Sequence, residues 1–125
     1  MRRELLRAKI HRATVTDTNV EYEGSLTLDR ELMQAAGLVP FERIDVYNVN
    51  NAARFSTYVI EGESGSGTVC VNGAAARLAA AGDKIIIAAY ASFDEEEISR
   101  HRPTVILVDA RNGIASPAVP AKSRR

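Results

Sequence analysis

The segment EYEGS at residues 21–25 contains the pair of residues with the most distinctive chemistry in this sequence, Gly24 followed by Ser25. A serine hydroxyl can attack the carbonyl of the preceding peptide bond and turn that bond into an ester. Elimination and hydrolysis then leave a keto group where the serine stood. The attack requires an unusual backbone shape, which glycine adopts more easily than other residues. On local pattern alone, the segment is better explained as a polar turn between two strands.

Two cations and a tyrosine are the other candidates for chemistry. Lys9 and Arg54 can each bind a carboxylate, and the planar guanidinium of Arg54 can do so with two parallel hydrogen bonds. Tyr58 carries a transferable proton on a ring that suits a dry site. On residue pattern alone, the cations are better explained as solvated strand charges, and the tyrosine fits a packed barrel residue equally well.

Signatures of metal and phosphate sites are missing from the sequence. There is no Cys-x-x-Cys, and His11 and His101 are far apart with too few other ligands, so no metal is expected. The glycine-rich segment GESGSG at 62–67 lies between two predicted strands, whereas a phosphate-binding loop should open a helix. Cys70 lies in the apolar run TVCVN and is interpreted as a small buried hydrophobic residue, not as a nucleophile.

The elements that must position these residues are mostly strands. Turn signals are frequent, and the runs between them are short and rich in β-branched residues, which is typical of a small barrel or sandwich. The Asn50-Asn51 pair predicts a hairpin, because asparagine tolerates positive φ. The predicted strands are 5–15, 26–28, 43–49, 54–60, 68–71, 84–91 and 104–109.

Two short helices and one helical turn complete the pattern. Asp29 is a predicted N-cap, apolar residues follow it at helical spacing, and Gly37 stands where a left-handed residue ends a helix. The small residues at 73–80 predict a helical turn. A second helix is predicted over Asp94–Arg100, where acids at the N-terminal end suit the helix dipole.

Composition and length narrow the function further. A chain of 125 residues suggests one domain, which we assign to residues 1–112, followed by a flexible tail at 113–125. With 16 basic and 16 acidic side chains, the formal net charge is zero, which argues against a nucleic-acid partner. The charged residues 1–12 do not resemble a secretory signal and no stretch reaches membrane-spanning length, so a cytoplasmic protein is expected. Enzymes this small often build their sites between subunits, which favours an oligomer.

Four separated segments together resemble the bacterial aspartate 1-decarboxylases. Their order and spacing match that family, and the resemblance covers about residues 1–112. It departs at Tyr47, where some relatives have tryptophan; since both are aromatic, little effect is expected. The four segments are KIHRATVT at 9–16, YEGS at 22–25, RFSTY at 54–58 and VNGAAA at 71–76.

The resemblance implies a mainly β fold, a double-ψ β-barrel with a few short helices, assembled as a homotetramer. It also implies a covalent pyruvoyl group, made from Ser25 when the chain cuts itself after Gly24 into pieces 1–24 and 25–125. The implied reaction removes the α-carboxylate of L-aspartate to give β-alanine and CO₂ for pantothenate synthesis. It needs no metal and no dissociable cofactor. Some relatives use a helper protein for maturation.

The resemblance also assigns roles to individual residues. Decarboxylation leaves an electron pair on Cα, which a pyruvoyl carbonyl can accept once it forms a Schiff base with the substrate amine. Ser25 and Tyr58 are then catalytic, Tyr58 as the proton donor, while Lys9 and Arg54 bind carboxylates. We hypothesise that Arg54 binds the side-chain carboxylate of aspartate, which is retained. Tight binding of the α-carboxylate, which leaves as CO₂, would stabilise the ground state and slow the reaction. Candidate contacts to the substrate or to the processed carbonyl are Thr57, Asn72, Gly73, Ala74 and Ala75, and candidate pocket-lining residues are His11, Tyr22 and Tyr47.

Two alternatives remain on the sequence alone. Small β-barrels also serve as binding or regulatory modules without catalysis, and the fold does not choose between these functions. A family member that has lost activity could also be retained as a structural subunit, although Gly24, Ser25, Arg54 and Tyr58 are all present. Intact mass separates the three cases, because only the active enzyme should split itself.

Overall fold

The computed structural model describes residues 1–115 and the backbone of Val119–Pro120. Over these residues the chain forms strands, two short α-helices and one 3₁₀ helix at Gly73–Leu78. The strands are β1 (Arg3–Thr14), β2 (Asp17–Asn19), β3 (Leu26–Asp29), β4 (Arg43–Asn48), β5 (Arg54–Gly62), β6 (Val69–Asn72), β7 (Lys84–Phe93), β8 (Thr104–Leu107) and β9 (Val119–Pro120). The helices are α1 (Arg30–Ala36) and α2 (Glu95–Arg100).

The strands form one mixed sheet that curves round on itself. In the described part of the chain its order is β2-β6-β3-β5-β4-β7-β1-β8-β9. β1 and β2 lie towards opposite ends of this order, yet only Val15 and Thr16 separate them in sequence. The Val15 N–H donates to the Asp83 carbonyl and the Thr16 N–H to the Val69 carbonyl, so this link bonds to both halves of the sheet. The predicted mainly β fold with few short helices is confirmed, and it is consistent with a double-ψ barrel.

The hydrophobic core lies inside this curved sheet. Inward residues alternate with outward ones along the strands, as a half-buried sheet requires. Each fully buried aliphatic side chain contributes roughly 1.5–3 kcal/mol to stability. The largest fully buried side chains are Ile10, Val15, Leu26, Leu28, Leu32, Met33, Ile44, Val46, Val59, Ile85, Ile87 and Ile106.

Both predicted helix starts are confirmed. The Asp29 carboxylate accepts the Glu31 N–H at the start of α1, and it also accepts the N–H groups of Gly65 and Gly67, which ties the 63–67 loop to the helix. Gly37 ends α1 with φ 73°, in the left-handed region. Asp94 begins α2 in a capping box. Neither helix, nor any other in the described residues, is both long enough and apolar enough to cross a membrane.

The predicted hairpin is confirmed, but its asparagines act differently from the prediction. β4 and β5 pair antiparallel across it. The residue with positive φ is Ala52, at 67°, and not an asparagine. The Asn48 side-chain carbonyl instead accepts the N–H groups of Asn50 and Asn51. The asparagines therefore stabilise the turn through their side-chain acceptors.

The packed part of the chain extends beyond the predicted boundary at residue 112. Asn112 is only 2% exposed, and its side-chain amide bonds to the backbone of Thr14 and Gly67. Ile114 forms a bridge with Val108, and β9 pairs with β8. Asn112 therefore agrees with the predicted domain 1–112, while the pairing of Ile114 and of β9 adds backbone contacts inside the predicted tail of 113–125, whose flexibility stays a prediction. The rest of the predicted tail, 116–118 and 121–125, lies outside the described residues.

Candidate active site

The predicted cleavage pair has an unusual backbone. Gly24 has φ 116° and Ser25 has φ 89°, just before β3 begins. Positive φ is common for glycine but strained for a residue with a Cβ, and such strain persists only where surrounding contacts enforce it. Ser25 is also 1% exposed, so its hydroxyl is held away from solvent. Ser25 is therefore a strained and buried residue directly after a glycine that adopts positive φ freely.

The end of β6 holds this pair in place. Gly73 has φ 69°, and a Cβ there would lie 2.6 Å from both the N and Cα of Gly24 and 3.2 Å from the carbonyl oxygen of Tyr22. Only glycine permits so close an approach. The Asn72 N–H donates to the Ser25 carbonyl at 3.0 Å. We call Gly24, Ser25, Asn72 and Gly73 the serine site.

The Asn72 side chain makes a second set of contacts in the serine site. Its Nδ2 donates to the Ser25 Oγ at 3.2 Å and to the Thr27 Oγ1 at 2.9 Å. Its Oδ1 accepts from the Cys70 thiol at 3.2 Å. Cys70 is therefore not the buried hydrophobic residue predicted, because it is half-buried and hydrogen-bonded. Burial and, secondarily, the charge of Asp17 raise the pKa of the Cys70 thiol.

Tyr58 lies beside the serine site because of strand register. β3 runs parallel to β5 with Leu26 opposite Val59, which brings the preceding residues of both strands together. The Tyr58 hydroxyl is 3.9 Å from where a Cβ on Gly24 would lie. Its ring is 6.3 Å, centroid to centroid, from that of Phe41. With 38% of its surface exposed, Tyr58 can contact both the serine site and a molecule arriving from solvent.

The other predicted contact residues have different relations to the serine site. Ala74 and Ala75 follow Gly73 in the 3₁₀ helix, where Ala74 is exposed and Ala75 half-buried. Thr57 is half-buried and lies on the opposite face of β5 from Tyr58. The side chain of Tyr22 is exposed, although its carbonyl oxygen lies next to Gly73 of the serine site.

A second group of predicted residues lies farther along β5. The Arg54 guanidinium carbon is 4.5 Å from the ring centroid of Tyr47, a cation–π contact. The Tyr47 hydroxyl hydrogen-bonds to that of Tyr90 at 2.9 Å. This bond, more than burial, raises the pKa of Tyr47 to about 12. We call Tyr47, Arg54 and Tyr90 the arginine site, and a shallow pocket of about 280 Å³ opens beside it.

Lys9 and His11 belong to the neighbouring strand β1. Lys9 pairs with Ala88 on β7, which pairs in turn with Asp45 on β4, so Lys9 shares the outward face of the sheet with the arginine site. The Nδ1 of His11 has no hydrogen-bond partner in the described part of the chain. Burial, followed by the charges of Lys9 and Arg12, lowers the pKa of His11, which keeps its ring mainly neutral at pH 7. Within the described residues, no three His, Cys, Asp or Glu side chains are grouped to hold a metal ion.

Within one chain the two sites are apart. Arg54 and Tyr58 share a face of β5 but are four residues from each other, which corresponds to roughly 13 Å along a strand. Arg54 is directed onto Tyr47 rather than towards Ser25. The structure therefore brings Tyr58 to the serine site but leaves the predicted carboxylate-binding arginine outside it.

Comparison with known proteins identifies the family. A family profile described as aspartate decarboxylase matches residues 1–115. Aspartate 1-decarboxylase of Syntrophobacter fumaroxidans is 61% identical over 112 residues, which is 90% of each chain. That of Wolinella succinogenes is 57% identical over 114 residues, 91% of this chain and 94% of the relative. That of Thermoanaerobacter pseudethanolicus is 55% identical over 112 residues, 90% of this chain and 96% of the relative.

The chain belongs to the aspartate decarboxylase family. The resemblance inferred from four short segments is confirmed over a slightly longer range than predicted. The relatives bear the name of an enzyme, which favours the enzymatic interpretation over a binding or regulatory module.

Three residues with polar contacts in these sites were not predicted from the sequence. Thr27 and Cys70 contact the Asn72 amide, and Tyr90 contacts Tyr47. The sequence did contain a signal for Thr27 and Cys70. Thr27 is two residues from Ser25 and Cys70 is two residues from Asn72, so each lies on the same strand face as a predicted site residue. No comparable signal marked Tyr90 in this member of the aspartate decarboxylase family.

Proposed function

We propose that this chain decarboxylates L-aspartate at its α-carboxylate, giving β-alanine and CO₂, with a pyruvoyl group that it makes from Ser25 by self-cleavage. The observation that carries the proposal is the backbone at Gly24-Ser25, where two consecutive positive φ values coincide with a buried serine hydroxyl. A polar turn at the surface would need neither the strain nor the burial. The β-alanine serves pantothenate, and hence coenzyme A, synthesis in the cytoplasm.

Self-cleavage begins with the Ser25 hydroxyl. Its Oγ attacks the Gly24 carbonyl carbon, its proton passes to the amide nitrogen of Ser25, and the Gly24–Ser25 C–N bond breaks. The product is an ester between Gly24 and the Ser25 Oγ, with a free amine on residue 25. The backbone supports this step, because nucleophile and carbonyl belong to adjacent residues and the strain at Ser25 is released when the bond breaks.

Elimination and hydrolysis complete the processing. The Cα proton of residue 25 passes to solvent, the Cβ–Oγ bond breaks, and Gly24 leaves with a carboxylate. Water then displaces the amine as ammonia, which leaves the keto group at the start of the 25–125 piece. The groups that would hold it are the Asn72 N–H, already bonded to the residue 25 carbonyl, and the space left by Gly73, with Ala74 and Ala75 next in the chain. Thr57 is proposed as a further contact.

Decarboxylation then uses the chain's own cations and its tyrosine. The pyruvoyl carbonyl supplies the electron sink for the pair left on the substrate Cα when CO₂ departs. Arg54 binds the side-chain carboxylate that is retained, and Lys9 adds positive charge to the same face of the sheet. Tyr58 donates the proton to Cα, because its hydroxyl is next to the serine site and also reaches solvent. Tyr22, His11 and Tyr47 line the pocket through which the substrate reaches the pyruvoyl group.

The separation of the two sites supports a homo-oligomer, which we propose is a tetramer. Arg54 cannot reach a substrate at Ser25 of its own chain across roughly 13 Å of strand without leaving Tyr47. Apolar side chains near the serine site are open to solvent, among them Phe41, which is 75% exposed with φ 73°. A second copy packed on this face would cover them and bring its own arginine site to the serine site.

Intact mass of the purified chain tests the proposal. The expected result is two pieces, residues 1–24 and 25–125, with a keto group in place of the serine amine on the longer piece. A Ser25→Ala variant, which lacks the attacking oxygen, should stay whole and make no β-alanine from aspartate. Full activity from an uncut chain, or turnover by the variant, would refute the pyruvoyl mechanism. The same preparation, run without and with cell extract, shows whether maturation needs a helper protein.

A further inference from the structure

Strand register gathers four polar side chains at the cleavage point. In the antiparallel pairing of β3 with β6, Thr27 lies opposite Cys70. Ser25 is two residues before Thr27 and Asn72 is two residues after Cys70, so in this antiparallel pair they lie side by side, and the Asn72 N–H bonds to the Ser25 carbonyl. Residues two apart share a strand face. Cys70 and Thr27 are therefore placed by the backbone itself to contact the Asn72 amide.

These contacts fix which way the Asn72 amide faces. The Cys70 thiol donates to Oδ1, and Nδ2 donates to the Thr27 hydroxyl. Turned by 180°, the amide would direct its N–H at sulfur, a weak acceptor, and the Cys70 thiol would lose the acceptor for its proton. Because burial raises the pKa of the Cys70 thiol, the sulfur keeps its proton at neutral pH and remains a donor. The second N–H of Asn72 is then left pointing at the Ser25 Oγ, 3.2 Å away.

An N–H directed at this oxygen serves elimination rather than the initial attack. During the attack the Ser25 Oγ is the nucleophile, and a donor bonded to it withdraws electron density. During elimination the Cβ–Oγ bond breaks, and its electron pair goes to Oγ, which becomes a carboxylate oxygen of Gly24. A donor already aimed at an atom where negative charge develops lowers the barrier of that step.

We infer that Cys70 and Thr27 are positioning residues for self-cleavage: they orient the Asn72 amide so that its N–H assists the breaking of the Cβ–Oγ bond. This inference rests on the proposed self-cleavage of Ser25. It assigns a role to two residues that touch neither the bond being cut nor the substrate.

The test measures how much of the ester between Gly24 and the Ser25 Oγ accumulates. A substitution that only disturbed folding would slow cleavage without making this ester accumulate. Freshly purified parent, Cys70→Ala, Cys70→Ser and Thr27→Val chains are incubated, and samples are denatured and treated with hydroxylamine. Brief treatment with hydroxylamine near neutral pH cuts an ester much faster than it cuts the two Asn-Gly bonds of this chain, Asn72-Gly73 and Asn112-Gly113. Cutting the ester yields a 25–125 piece that begins with serine, and fragments from the Asn-Gly bonds are told apart by mass. Intact mass distinguishes this piece from the keto-terminated one.

Cys70→Ala and Thr27→Val should each slow the appearance of the keto-terminated piece by about tenfold while the hydroxylamine-sensitive ester accumulates. Cys70→Ser restores a donor and should process close to the parent rate. Parent-like processing of both Cys70→Ala and Thr27→Val without ester, or failure of Cys70→Ser to rescue, would overturn the inference while leaving self-cleavage intact. A parent chain that never cleaves would instead refute the proposed function, and this inference with it.

Discussion

The serine site and the arginine site are built in opposite ways. In the serine site the positions are set by backbone, by a missing Cβ at Gly73 and by neutral hydrogen bonds in a buried setting. In the arginine site a charged group lies at the surface, held by one ring face and one bond between two exposed hydroxyls. The close backbone contacts and buried hydrogen bonds of the serine site leave little room for another arrangement. The exposed side chains of the arginine site can rearrange when a ligand or a second chain binds.

This difference matches the two reactions proposed for the chain. Self-cleavage is unimolecular, so its rate depends on geometry fixed in advance within one chain. Substrate binding must admit and release a charged molecule, which an exposed and adjustable cation can do. Changes in the serine site should therefore abolish cleavage and activity together. Changes in the arginine site should reduce activity alone.

The largest effect is expected from Gly73→Ala. The added Cβ would meet backbone atoms of Gly24 at 2.6 Å, so the cleavage pair must move or the strand end must shift. We expect self-cleavage to fall by at least about 100-fold, followed by mass spectrometry over time. Gly82→Ala is the matched control, because Gly82 also has positive φ, at 96°, but has no atom within 4 Å of the new Cβ.

The control should lose only about 1–2 kcal/mol of stability from its backbone strain and cleave normally. If Gly73→Ala cleaves as fast as Gly82→Ala, the close approach at Gly24 is irrelevant to processing. The serine site would then be less rigid than the comparison with the arginine site requires.

Tyr58→Phe should separate the two reactions. The change removes one hydroxyl and keeps the ring against Phe41, so folding and self-cleavage should proceed. Loss of a general acid commonly costs on the order of 10²–10⁴ in rate, and β-alanine formation should fall accordingly while the chain is still cut. Tyr90→Phe, which also removes one hydroxyl from an exposed tyrosine but lies outside the serine site, serves as the control. A cleaved Tyr58→Phe chain with the parent turnover would make Tyr58 a packing residue.

Arg54→Lys should leave cleavage untouched and weaken substrate use. The substitution keeps the positive charge but removes the planar guanidinium, which can form two parallel hydrogen bonds with a carboxylate. Losing a hydrogen bond to a charged group costs about 1.5–3 kcal/mol, which corresponds to roughly one to two decades in kcat/KM for aspartate. An unchanged kcat/KM would remove Arg54 from the carboxylate site.

Mixing variants sharpens the comparison by testing whether the two sites come from different chains. Ser25→Ala and Arg54→Lys chains are co-expressed and their activity compared with each alone. If a working site joins Ser25 of one chain to Arg54 of another, mixed oligomers contain intact sites and regain activity. If both residues serve the same chain, the mixture stays near the Arg54→Lys level.

What the sequence could predict was local. Asp29 and Gly37 were recognised as helix ends because capping depends on residues a few positions apart. The Gly24-Ser25 pair fitted an ordinary polar turn by local pattern, and only the family resemblance marked it as a cleavage site. Most of the strands followed from alternation of apolar residues. The four family segments could be recognised without knowing how they pack, which is why the family was predictable while the arrangement of its residues was not.

What the sequence could not predict depends on strand register. The Thr27 hydroxyl contacts the Asn72 amide, 45 residues away, only because β3 pairs with β6 so that Thr27 lies opposite Cys70. Asn112 is buried because its amide reaches Thr14, 98 residues away. The contact of Tyr90 with Tyr47 spans 43 residues and depends on the pairing of β4 with β7. No spacing rule in the sequence identifies such contacts.

The smallest effect is expected from Tyr90→Phe, which loosens the arginine site without touching its charge. The hydroxyl bond to Tyr90 is the main cause of the raised pKa of Tyr47, about 12, so removing it should bring that pKa back towards 10.0. Neutral Tyr47 is favoured in the fold, so its contribution to stability is fully present below pH 10 and lost as pH rises towards 12. In Tyr90→Phe the stabilisation that comes from neutral Tyr47 should be smaller and should be lost at a lower pH than in the parent.

Titration of tyrosinate absorbance in Tyr90→Phe, compared with Tyr47→Phe to assign the signal, measures the shift directly. The Tyr47 ring would still lie under Arg54, but with one fewer restraint on its position. Since both hydroxyls are partly exposed, kcat/KM for aspartate should fall by no more than about fivefold, and self-cleavage should not change. An unmoved Tyr47 pKa would show that this bond does not form in solution. A cleavage defect would show that the arginine and serine sites are not independent, because a loosened outward face would then be altering geometry at Gly24-Ser25.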